Sequence, residues 1–193
     1  MTTKVAVFAS GSGSNFQAIQ EAIENGELDA KIEIVITDKP NAFVVTRAEN
    51  FGIPVFAFSA KTYESKAAYE AEIVQALRDK EVEWIILAGY MRLIGDTLLS
   101  AYPNRIVNIH PSLLPSFPGK DAIGQAMEHG VKITGVTVHF VDEGMDTGPI
   151  LAQAAVEVVE GNREATEERI HAVEHELYKK SLIQLLNPTS KLH

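Results

Sequence analysis

Apolar positions along the chain fall into two alternating patterns. Short, nearly continuous apolar runs mark buried strands: Lys4 to Ala9, Ile32 to Thr37, Pro54 to Phe58, Trp84 to Leu87, and a run through Ile106-Val107 to His110. Between them, apolar residues recur at helical spacing. Phe16, Ile19 and Ile23 predict a helix from about Asn15 to Asn25-Gly26. Asn41 is the expected cap of a helix carrying Phe43, Val44 and Ala48, which stops at Phe51-Gly52. Tyr69, Ile73, Ala76 and Leu77 mark a helix over residues 65–80, and Asp96 to Ser100 a short one. Asp121 caps a helix reaching about His129. Lys132 to Phe140 and Ile150 to Val158 read as two long strands with no crossover helix between them, so they are expected to pair antiparallel. A helix over residues 163–186 closes the chain.

Alternating strands and helices predict an α/β fold: a Rossmann-like, open, mostly parallel sheet with helices on both faces and an antiparallel C-terminal strand pair. The 193 residues suit one domain spanning residues 1–193, with no repeat, linker or low-complexity tract. In such sheets ligands bind beyond the carboxyl ends of the strands. Three loops leaving those ends carry polar residues: 10–15, 88–95 and 108–120.

The last of these is the most informative. Asn108 and His110 stand two residues apart at the end of a strand, hence on one face. Pro111 and Pro115 follow and stop the strand from continuing. The alternative is a core histidine beside a turn asparagine. In the first loop, Gly11 and Gly13 permit close approach to the backbone, and the helix behind them directs free amides and its positive dipole end at the loop. That suits a phosphate. Phe16 stands where a dinucleotide fingerprint needs glycine, and no Gly-Lys-Ser/Thr follows. In the middle loop, Met91, Leu93 and Ile94 either line a pocket for a flat ring or tuck onto the core.

Composition narrows the chemistry. The net charge of −9, without a basic block, argues against non-specific nucleic-acid binding. The chain has no cysteine, which excludes thiolate catalysis and zinc–thiolate sites. No signal-peptide pattern or membrane-length apolar run is present, so a cytoplasmic location is expected, without membrane contact.

Between the last two strands lies an acidic stretch, Asp142 to Pro149. Asp146 either forms an Asx turn with the Thr-Gly-Pro behind it or faces His110, where its charge would favour the protonated ring and orient it. Asp146-Thr147-Gly148 also spells an aspartic-protease motif, but that chemistry takes two such carboxylates in an all-β setting. His171 to His175 matches the H-x-x-E-H zinc-protease spelling. A third ligand should lie well downstream, where only the adjacent Glu176 and the terminal His193 are of ligand type. His129 reads as a cation at a helix end, and His139, near the acidic stretch, as a strand residue or a supporting one.

Four segments in order carry a resemblance: S-G-x-G-S-N at Ser10 to Asn15, A-G-Y-M-R at Ala88 to Arg92, N-I-H-P-S-L-L-P at Asn108 to Pro115, and M-D-T-G-P-I at Met145 to Ile150. Together they resemble the formyltransferases that use 10-formyltetrahydrofolate, over nearly the whole chain. The first segment and the chain length favour the purine-biosynthesis member whose acceptor is glycinamide ribonucleotide. The resemblance implies direct formyl transfer through a tetrahedral intermediate, with no metal. It implies that Gly13, Ser14 and Asn15 hold the substrate phosphate and that Glu174 contacts the ribonucleotide. Met91, Arg92, Leu93, Ile94 and Asn108 would contact the folate, with Lys66 near its glutamate tail, where many relatives carry arginine. Asn108, His110 and Asp146 would be catalytic. Oligomeric state is left open. Methionyl-tRNA formyltransferases add a C-terminal RNA-binding domain and formyltetrahydrofolate hydrolases an N-terminal regulatory one. From another class stands a nucleotide-binding module, with Asp38 at the end of the second strand as the ribose-binding acid.

Overall fold

Strand and helix alternate from the start of the computed structural model, which describes residues 2–188. The order is β1 (Thr3–Phe8), α1 (Ser14–Glu24), β2 (Ala30–Thr37), α2 (Phe43–Asn50), β3 (Val55–Ala57), α3 (Lys66–Asp79), β4 (Trp84–Leu87), α4 (Asp96–Ala101) and β5 (Ile106–His110). Then follow α5 (Ala122–His129), β6 (Ile133–Phe140), β7 (Ile150–Glu157) and α6 (Arg163–Leu186). The strands form a sheet in the order β3-β2-β1-β4-β5-β6-β7, flanked by helices. β1 runs parallel to β2 and β4, and β2 to β3, whereas β6 and β7 are antiparallel as their direct connection required. The chain falls into two compact units, one up to Val107 and one from Asn108.

In the first unit the central strands are apolar on both faces, as parallel strands under helices must be. Val5 to Ala9, Ile34 to Ile36 and Ile85 to Leu87 are buried without a break. Phe16, Ile19 and Ala22 are the buried positions of α1. Tyr69, Ile73 and Leu77 repeat every four residues along α3, whose first turn is capped by Ser65 Oγ accepting from the Ala68 amide at 3.1 Å. Two boundaries differ from the sequence expectation. Asn41 does not cap α2. The Ala42 amide bonds back to the Lys39 carbonyl, which closes a turn over Pro40–Asn41 and leaves Ala42 at the cap position. Strand β3 is also shorter than residues 54–58, because Pro54 has no N–H to add to a ladder.

In the second unit, α6 buries Thr166, Ile170, Glu174, Tyr178 and Leu182, one per turn. Asp121 caps α5 as expected, accepting from the Gly124 amide at 3.3 Å. The β6–β7 register slips between Val138 and His139, an irregularity of the kind that re-aims a side chain. Residues 111–120 are tied to the sheet through one buried hydroxyl. Thr137 Oγ1 donates to the Ser112 carbonyl (2.7 Å) and accepts from the Leu114 amide and from Gln153 Nε2 (both 3.0 Å).

Thr137→Val keeps the shape but strands a buried amide and a buried carbonyl. It should lower stability by about 1–3 kcal/mol, read as a lower urea midpoint with an unchanged slope. Thr137→Ser should recover most of the loss.

Candidate active site

β5 ends with Asn108 and His110, and Pro111 begins the loop that follows. His110 is buried, and both ring nitrogens have defined neighbours. Nε2 lies 2.9 Å from the Phe117 carbonyl. A carbonyl only accepts, so this nitrogen carries a proton. Nδ1 faces Asp146 Oδ2 at 3.5 Å, a direct ion-pair distance once the ring is charged. Asp146 is therefore not the Asx-turn residue of its connection. Asp142 takes that role, accepting from the Gly144 amide and from Thr147 Oγ1, and the latter bond leads in holding its carboxyl below the ordinary value.

Asp146 is held from the other side by the Gly119 amide, which donates to Oδ2 at 2.8 Å. Its backbone adopts φ 57°, a left-handed conformation that costs a non-glycine residue energy. Phe117 and Asp121, in the loop after β5, share it with φ 51° each. Strained backbone persists where surrounding contacts over-determine it, and here those contacts set the carboxylate and carbonyl around His110.

A second histidine completes the group. His139 Nδ1 donates to the Phe140 carbonyl at 2.8 Å, while Nε2 lies 3.3 Å from Asn108 Nδ2. Burial pushes the His139 pKa down, against opposing contributions from Phe140 and Asp146. A neutral ring protonated at Nδ1 accepts from Asn108, fixes its amide, and leaves the second amide hydrogen free to donate. His139 is thus a supporting residue, which its place beside the acidic connection had suggested. His129 ends α5, with its ring edge-on to Phe117.

Glu174 is buried on α6 and accepts from His171 Nδ1 at 2.8 Å, the first cause of that histidine's raised pKa. The zinc-protease spelling is thus taken up by an ion pair one helical turn long. No group of three metal-type side chains that could hold an ion occurs among the described residues, and His193 lies outside them.

The first unit carries two loops at strand ends. Gly13 precedes α1 at φ 78°, and a Cβ there would lie 2.6 Å from Val44 Cγ2, so both conformation and space demand glycine. No side chain caps α1, whose N-terminus opens directly onto this loop. The loop is braced by α2: the Val44 amide donates to the Gly11 carbonyl (3.1 Å), and Arg47 Nε to the Ser12 carbonyl (2.7 Å). Arg47 also bonds Gln17 Oε1, a second neutral acceptor, so it brings positive charge to this loop. Nothing in the sequence singled it out.

The 88–95 loop divides its apolar side chains. Ile94 is buried, whereas Met91 and Leu93 are 65% and 47% exposed. Ile94 tucks onto the core, whereas Met91 and Leu93 face outward. Lys66 donates to the Leu93 carbonyl at 2.9 Å, so it holds the loop's backbone. Glu70, one turn along α3, accepts from the Gly95 amide (2.8 Å) and weakly from that of Leu98 (3.4 Å), at the start of α4.

Comparison with known proteins gives this arrangement a family. The description "Formyl transferase" matches residues 3–182. The chain belongs to the formyl transferase family. Among relatives within it, the phosphoribosylglycinamide formyltransferase of Bacillus subtilis (strain 168) is 59% identical over 184 residues, 95% of this chain and 94% of that protein. The crystal structure of glycinamide ribonucleotide transformylase 1 from Geobacillus kaustophilus is 60% identical with a TM-score of 0.94, over 96% of this chain and all of the other. The phosphoribosylglycinamide formyltransferase structure from Bacillus halodurans gives 54% and 0.94, over 98% of each chain.

The neutral state of His139 has a measurable consequence. With its folded pKa lowered, the unfolded chain takes the proton more readily. The stabilisation is present above the unfolded value of about 6.5 and is lost as pH falls below it. Wild-type stability should therefore decline between pH 7 and pH 5.5 more steeply than that of His139→Gln, measured by urea unfolding at each pH. Equal slopes would remove the neutral-ring assignment.

Proposed function

We propose that the chain transfers the formyl group of 10-formyltetrahydrofolate to the amino group of glycinamide ribonucleotide, in purine biosynthesis. The observation that carries this reading is the meeting of Asn108, His110 and Asp146 at the end of β5, with His139 fixing the Asn108 amide. The names of the relatives agree with it.

The roles follow from the chemistry. When the substrate amine attacks the formyl carbon, negative charge gathers on the formyl oxygen. Asn108 donates its free amide hydrogen to that oxygen. His110 stabilises the same charge once its Nε2–H exchanges the Phe117 carbonyl for it, and Asp146 opposite Nδ1 balances the imidazolium. The ammonium formed by attack loses a proton, N10 gains one, and His110 is the relay between them. The C=O bond re-forms as the C–N10 bond breaks, and no side chain is acylated. Gly13, Ser14 and Asn15 hold the phosphate with their backbone amides, Arg47 adds charge, and Glu174 contacts the ribonucleotide. Met91 and Leu93 present apolar surface suited to the flat pteridine, with Arg92, Ile94 and Asn108 completing the folate contacts. Lys66 serves the donor through the Leu93 carbonyl that it holds.

The decisive assay offers glycinamide ribonucleotide, methionyl-tRNA and water as competing acceptors. Formyl transfer to the ribonucleotide is expected; formylated tRNA or released formate as the main product would overturn the assignment. His110→Ala and Asp146→Asn should each lower kcat by about 10²–10³-fold, the range for lost oxyanion stabilisation, with the folded structure retained by far-UV circular dichroism. Gly13→Val should raise KM for the ribonucleotide and leave that for the folate donor near wild type.

A further inference from the structure

Asp38 takes no part in the chemistry above, yet its carboxylate is 2% exposed at the end of β2. A buried carboxylate is costly unless every oxygen is paired. Its partners come from two other segments. Ser10 Oγ donates to Oδ1 at 2.5 Å, and Arg92 Nε donates to Oδ2 at 3.0 Å. The Ser10 hydroxyl in turn accepts from the Met91 amide at 2.9 Å, and the Ser10 amide donates to the Gly89 carbonyl at 3.0 Å. One buried charge thus sets where residues 91 and 92 stand against the end of β1. Past them, Lys66 and Glu70 hold Leu93 and Gly95. The segment is fixed on both sides, with the Met91 and Leu93 side chains facing outward.

We infer that Asp38 is a positioning residue for the formyl donor: through Arg92 and the Ser10–Met91 link, it holds the 91–94 loop in its donor-binding form. This rests on the proposed role of that loop. It does not extend to the ribonucleotide, because the phosphate loop has its own brace from Val44 and Arg47. Asparagine at position 38 would keep the size but offer one acceptor oxygen to two donors. Arg92 would also lose its counter-charge.

The test compares Asp38→Asn with wild type by steady-state kinetics in both substrates, and by calorimetric titration with a non-reactive folate analogue. Donor KM and analogue Kd should rise about tenfold, equivalent to about 1.4 kcal/mol, with kcat and ribonucleotide KM changed less than about twofold. A merely structural role would move both KM values together or only the yield of folded protein, and either result overturns the inference. Unchanged analogue Kd overturns it too. Should Asp38→Asn fail to fold, Ser10→Ala retains the carboxylate and the Arg92 pair while removing both hydroxyl bonds, the one to Asp38 Oδ1 and the one from the Met91 amide. Its donor KM should rise at least about threefold, the low end for lost hydrogen bonds, and no rise counts against the inference. Wild-type protein that neither binds the analogue nor transfers formyl would overturn the functional reading itself. Wild-type binding with an indifferent Asp38→Asn overturns the positioning role alone.

Discussion

The second unit depends on one carboxylate between two imidazoles. Asp146 places Oδ2 3.5 Å from His110 Nδ1 and Oδ1 3.7 Å from His139 Nε2. Both rings are nearly out of solvent, where an unpaired polar atom is expensive. The two histidines meet that constraint differently. His139 is kept neutral by burial, donates to its neighbour's carbonyl, and spends its lone pair on Asn108. His110 donates to the Phe117 carbonyl, and its other nitrogen faces the acid. The same burial that makes one ring a fixed acceptor gives the other a reason to hold a counter-ion. The geometry survives only because Asp146 accepts from Gly119 in a strained backbone conformation, and because Thr137 ties down the loop after β5.

In the first unit the equivalent problem is positioning loops that carry few hydrogen bonds of their own. α2 and α3 solve it with side chains, and in one case a helix-terminal amide, that reach back to backbone groups. Arg47 and Val44 fix the carbonyls of Ser12 and Gly11, while Lys66 and Glu70 fix Leu93 and Gly95. In each case a helix on the strand's flank sets a loop at the strand's end. Those three carbonyls and that amide are thereby satisfied within the protein.

Much of this was legible from periodicity. The two-residue spacing of Asn108 and His110, bounded by proline, put both at the end of one strand, and Asp121 announced its cap correctly. The Asn41 cap failed because a turn bond from Ala42 to Lys39 competes for the same residues, a contest that composition does not reveal. Arg47, Glu70 and Thr137 were silent for a different reason. Each acts on a backbone group distant in sequence, and nothing about a single arginine, glutamate or threonine states which carbonyl or amide it will meet. Lys66 was noticed for its charge, and its bond to the Leu93 carbonyl is a contact that charge alone does not announce.

Asp38 shows how burial separates two functions that share a fold. An acid at the end of the second strand is where a dinucleotide-binding protein holds a ribose, which needs a carboxylate with acceptor capacity to spare. Here both oxygens already serve Ser10 and Arg92, and the side chain is closed to solvent. The same strand position has been turned inward, from gripping a ligand to gripping a loop. Phe16 makes the parallel substitution one element earlier: the position that a dinucleotide fingerprint gives to glycine is a fully buried aromatic packed edge-on against Phe51. The fold supplies the positions, and the pairing state of each side chain decides which of them face a substrate.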